Sequence, residues 1–237
     1  MQKHINMVNE QPKINQIALA LESKANLKQK VYRETKEQFK QLKKVAKIVV
    51  EEINERTKGK LDDNIEVLFI DKGDYEMRIK FAGDVLICYM HTNIFEFDRS
   101  HAIWSTSYVK EDEERSYCGM INFYNFLADS FKYDRRHDSG YLIARMFINK
   151  ERHFFVEGKR QLGFLFNNFS DSNINAEAVR SILETAILYA MEFDLYTPPY
   201  NEVKEISVGE MVHESSVMRV KTAKRMGYKF SQEEDEE

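Results

Sequence analysis

Between Asn26 and Arg56 the chain has neither glycine nor proline, and Leu27, Val31, Phe39, Leu42, Val45, Ala46, Val49 and Ile53 recur three or four residues apart. An apolar stripe of that period predicts an amphipathic helix over 26–56. At ~1.5 Å per residue it would be roughly 45 Å long, more than a domain of this size covers along its whole length. Part of the helix is therefore expected to project or to meet a partner.

Lys58-Gly59-Lys60 ends this helix. Three strand-like runs follow, Ile65 to Asp71, Tyr75 to Phe81 and Val85 to Phe97, separated by Lys72-Gly73-Asp74 and Gly83-Asp84, which reads as an antiparallel meander. Trp104 to Lys110 is read as a further strand, with the acidic run Glu111 to Glu114 as its exposed turn. In Gly119 to Lys132 the polar residues Asn122, Asn125, Asp129 and Lys132 fall three and four apart, which favours a helix. Tyr141 to Asn149 and His153 to Lys159 form a hairpin around Lys150-Glu151-Arg152. Pairing Asn149 with His153 sets Phe147 opposite Phe155 and Arg145 opposite Glu157. Gln161 to Phe169 has no clear type, and Ala176 to Tyr196 is a second helix that stops before Pro198.

Strands grouped between helices indicate an α+β fold: an antiparallel sheet with helices packed on one face and a long N-terminal amphipathic helix. With only three prolines and nine glycines in 237 residues there is no linker, so one domain is expected over 25–200. Residues 1–24 are read as an extension with a short helix. Residues 201–237 are read as an arm ending in a basic, then acidic, disordered tail. The 43% hydrophobic content supplies a core, and no apolar run approaches the ~20 residues a membrane span needs. Cys88 and Cys118 lack a second pair and sit among apolar residues, so they are expected to be reduced thiols of a cytoplasmic protein.

The phrase FEFDRSH, Phe95 to His101, returns as FKYDRRH, Phe131 to His137. Chance alone gives on the order of ten such four-identity matches in a chain this long, so recurrence marks no architectural repeat. Chain direction is the better reason to join them. If Trp104 to Lys110 descends as a strand and the next element climbs back, both phrases reach the same end of the sheet. Asp98, His101, Asp134, His137 and Asp138 would then offer imidazole and carboxylate ligands for Zn²⁺, Mn²⁺ or Fe²⁺, or a general base with its orienting acid. The competing reading makes each Asp a turn residue, each Arg a local ion-pair partner and each His an exposed loop residue.

His153-Phe-Phe-Val-Glu-Gly-Lys159, with Asp138 before it, resembles the PD-(D/E)xK nucleases over about twenty residues. The resemblance implies Mg²⁺ held by Asp138 and Glu157, with Lys159 supporting the attacking water. The chain departs from that pattern in lacking the proline before the Asp. In the hairpin register a cross-strand pair with Arg145 already accounts for Glu157, and Asp138 lies some 20 Å along the strand at ~3.3 Å per residue. Glu210-x-x-His213 has the spacing of di-iron ligands but lacks the second pair such sites require. No glycine-rich phosphate loop, HExxH or GxSxG is present.

On the long helix Arg33, Lys36, Lys40, Lys43, Lys44 and Lys47 fall within an arc of about 100°, nearly opposite the apolar stripe. Such a cationic rod could follow a phosphate backbone or dock an acidic protein; the bland alternative is a solvated lysine face. Arg219, Lys221, Lys224, Arg225 and Lys229, followed by acids from Glu233 to Glu237, could let the tail fold back over basic surface.

The reading that follows is a cytoplasmic interaction or regulatory module without chemistry. It would meet a protein partner, a copy of itself or a nucleic acid through the long helix, without cofactor or membrane. The second reading is a metal-dependent hydrolase, a nuclease being one form of it, with a divalent metal at the Asp-Arg-x-His loops. The third is an aromatic-lined pocket sensing a small ligand.

Overall fold

The computed structural model describes residues 11–136, 138–192 and 200–212. Helical backbone runs without interruption from Gln11, through α1 (Gln11–Ala20), a π-helical turn (Leu21–Ala25) and α2 (Asn26–Thr57). The extension and the predicted helix are thus one rod of about 70 Å. Ser23 Oγ donates to the Leu19 carbonyl and Asn26 Nδ2 to that of Glu22, so side chains serve backbone acceptors where the helix widens. Pro12 sits in the first turn, where a missing N–H leaves no helical bond unmade.

From Leu27 onward α2 buries the predicted stripe. Val31, Phe39, Leu42, Ala46 and Val49 are sealed against the sheet, while Val45 and Ile53 are half-buried at its margin. Thr35 occupies the step between Val31 and Phe39 at 0% exposure, its hydroxyl bonded to the Val31 carbonyl at 2.8 Å. Gly119 faces it: a Cβ there would lie 2.0 Å from Thr35 Oγ1. The helix lies this close because one residue is small and the other has no side chain.

The seven-stranded sheet is antiparallel throughout. It contains β1 (Val67–Asp71), β2 (Glu76–Phe81), β3 (Asp84–Met90), β4 (Phe95–Glu96), β5 (Tyr117–Leu127), β6 (Tyr141–Asn149) and β7 (Phe154–Gly158). The order is β1-β2-β3-β5-β6-β7, with β4 also paired to β5. Ala82 and Gly83 make the two-residue turn between β2 and β3, and Ala82 takes a positive φ of 51° to do so. The predicted hairpin register holds: Phe147 faces Phe155 and Arg145 faces Glu157. The α+β class with helices on one face also holds, α2 and α6 (Ala176–Met191) covering Met77, Ile79, Leu86, Ile121, Phe123 and Met146. Asn175 caps α6 by accepting from Ala178 N at 2.8 Å. The predicted end of this helix, 193–196, lies outside the described residues.

Three elements differ from expectation. The run predicted as one strand, Val85 to Phe97, is broken at 91–94 into β3 and β4. The run predicted as a strand, Trp104 to Lys110, is a 3₁₀ turn (Ala102–Ser105) followed by the short helix α3 (Ser107–Glu111), whose N-cap Thr106 accepts from Val109 N. The run predicted as a helix, Gly119 to Lys132, is β5 followed by a five-residue helix, α4 (Ala128–Lys132). Its residues alternate between the helix-covered face (Ile121, Phe123) and the opposite face (Cys118, Met120), where a second core gathers Ile103, Val109, Phe147, Phe155 and Phe169. With both faces buried, the polar-apolar alternation that marks a strand is lost. The untyped run after β7 begins with α5 (Gln161–Leu165).

Candidate functional site

The repeated phrases lie at opposite ends of β5. Phe95 and Glu96 pair with Cys118 and Tyr117 at its start, whereas Phe131 follows Leu127 at its finish. An eleven-residue strand separates them, roughly 35 Å when extended. The shared end expected from chain direction does not hold, because the segment 102–116 makes short helices on one side of the sheet instead of crossing it as a strand.

Each described carboxylate of the two phrases is used locally. Asp98 accepts from the Ser100 backbone at 2.9 Å and hydroxyl at 2.6 Å, hydrogen bonds that hold its carboxyl below the usual range. Asp134, at a positive φ of 49°, pairs with Arg136 at 3.0 Å. Asp138 accepts from Ser130 Oγ at 2.6 Å and lies three residues before β6, seven before the Arg145 that faces Glu157. His137 and His213 lie outside the described residues. Among the described residues no three His, Cys, Asp or Glu side chains group to hold a metal ion. Burial pushes the thiols of Cys88 and Cys118 well above their ordinary range, and both are free and unreactive by that criterion.

Two candidates from different motifs do meet. His101 Nε2 lies 3.5 Å from Glu157 Oε1, while Arg145 clamps the other oxygen, Oε2. The imidazole rests against Phe97, ring centres 4.6 Å apart, at the lip of the second core. Its Nδ1 accepts from Ile103 N at 3.3 Å, which leaves Nε2 facing Glu157. The imidazole thus lies between the Ile103 amide and Glu157, whose second oxygen is held by Arg145. The cluster lies at the surface, the His101 and Glu157 side chains being 33% and 34% exposed. Its geometry is that of a fastening between the 97–105 loop and β7. Lys159 stands apart, lining a cleft of about 270 Å³ with Tyr189 and Glu192.

The cationic face of α2 divides into two groups. Lys36 reaches Asp74 at 2.6 Å and lies 5.3 Å from the Tyr75 ring centre; Lys43 is held by Asp71 and the Gly73 carbonyl, its side chain only 14% exposed. Hydrogen bonds to these lysines hold the carboxyls of Asp71 and Asp74 below their usual range, and the Asp74 bond raises Lys36. These two cations clip the β1–β2 turn to the helix. Arg33, Lys40, Lys44 and Lys47 remain exposed, with Glu37 3.4 Å from Lys40 and Glu51 3.9 Å from Lys47.

The α1 part of the rod lies outside the predicted helix 26–56. Residues 12–24 are all exposed, and among them Ile14 at 63%, Ile17 at 60% and Leu21 at 59% repeat at i, i+3 and i+7. The i, i+3, i+7 spacing of Ile14, Ile17 and Leu21 is itself a helical signal in the sequence. A recess between β2 and α4 left no local signal in the sequence, because its lining residues come from distant parts of the chain.

No protein-family model, curated protein or solved structure matches the chain. Among the described residues no helix is long and apolar enough to cross a membrane.

Proposed function

We propose that this chain is a non-enzymatic interaction module that meets a protein partner through the N-terminal part of its long helix. The observation that carries this reading is the apolar seam Ile14, Ile17 and Leu21 on a rod extending beyond the domain, each side chain more than half exposed. A helix with a bare seam fits partner recognition by side chains at i, i+3 and i+7, in a groove or against another helix. The four exposed cations Arg33, Lys40, Lys44 and Lys47 continue along the same rod and would steer it toward an acidic rim. The clipping of Lys36 and Lys43 by the protein's own carboxylates favours a protein over a nucleic-acid backbone, because it withdraws charge from the face that would follow phosphates.

The test compares the full chain with Ile17→Asp/Leu21→Asp, using sedimentation for self-association and affinity capture for other partners. The variant is expected to lose association at least tenfold while its Tm moves by no more than about 2 °C, since these side chains touch no core. Association that persists unchanged, or a Tm that collapses, would contradict the reading.

A further inference from the structure

We propose that the recess between β2 and α4, on the sheet face away from α2, is a binding site for an organic phosphate with a flat apolar body. Its volume is about 780 Å³, within the range of small-molecule sites. This inference does not depend on the helix reading.

Four cations line the recess. Arg78 and Lys80 are alternate residues of β2 and so share a face. Lys132 ends α4 and Arg135 follows in the next turn. Arg78 is fixed by Glu76 at 2.6 Å and lies 4.4 Å from the Phe131 ring centre; Lys80 is fixed by Glu66 at 2.6 Å. Lys132 and Arg135 make no ion pair among the described residues and rest near the Tyr133 ring, at 5.4 and 5.5 Å. Glu66 and Asp129 are the lining carboxylates, so positive charge is in excess, and two cations on one wall are uncommitted while the other two are held in place. Two anchored and two open cations form a preorganised receptor for an anion with several oxygens. Phe131 is 41% exposed beside them, and its ring offers a stacking surface for a flat body attached to that anion.

The experiment is calorimetric titration of the full chain with ATP and with inorganic pyrophosphate at low salt. It is repeated on Lys132→Glu/Arg135→Glu and on Lys30→Glu/Lys110→Glu, which changes net charge equally at exposed residues outside the recess. The expected result is saturable ATP binding, weakened at least tenfold by the first pair and within twofold of wild type for the second, with pyrophosphate weaker than ATP. The proposal is overturned by the absence of saturable ATP binding, by equal losses in both double variants, or by pyrophosphate binding as tightly as ATP.

Discussion

At the scale of single residues, the tightest constraint is the contact of Gly119 with Thr35. A methyl group on Gly119 would fall 2.0 Å from Thr35 Oγ1 and 2.7 Å from its Cβ, so α2 or β5 must shift. Overpacking of a closed core typically costs about 1–3 kcal/mol. Gly119→Ala is expected to lower urea-unfolding stability by about that amount, and adding Thr35→Ala should recover part of the loss by removing Oγ1 and Cγ2. Additive losses in the double variant would mean that the two positions do not meet. The pairing of His101 with Glu157 is a residue-scale finding of another kind: sequence separated them into two hypotheses, and only the register of β7 with β6 and the turn before Ile103 bring them together.

At the scale of elements, the stripe of α2 was legible because one face of that helix is buried and the other is wet. The β6–β7 register was legible from its turn, and the β2–β3 turn to within one residue, expected at Gly83-Asp84 and found at Ala82-Gly83. β5 was not, because Asn122 and Asn125 are each only 5% exposed, and buried polar residues imitated the wet face of a helix. The misread segment 102–116 then reversed the predicted direction of everything after it. The clip between α2 and the β1–β2 turn is an element-scale device with a predictable pH response. Asp71 and Asp74, with folded pKa values depressed by Lys43 and Lys36, contribute stability above their ordinary pKa of about 4 and lose it as pH falls through the folded values. Lys36, raised by Asp74, contributes below its ordinary value of about 10.4 and loses its contribution as pH rises through the folded value. Asp71→Asn/Asp74→Asn should therefore flatten the fall in stability between about pH 5 and pH 3. Parallel pH profiles for wild type and variant would show that the clip carries no stability.

At the scale of the whole molecule, a rod of about 70 Å is anchored over its C-terminal part on a two-faced sheet and leaves its first turns uncovered. The expectation that part of the helix projects came from its length alone; which part projects required the structure, since burial begins only at Leu27. The two Asp-Arg phrases, separated by the length of β5, no longer support a common site, so the exposed helix carries the functional argument. The most direct measurement is site-specific photo-crosslinking in cells, with the crosslinker placed at Ile17 on the projecting turns or at Lys110 on α3. A discrete adduct with one partner or a second copy from position 17, absent from position 110, is the predicted result. No adduct from position 17, or the same products from both positions, would contradict the account.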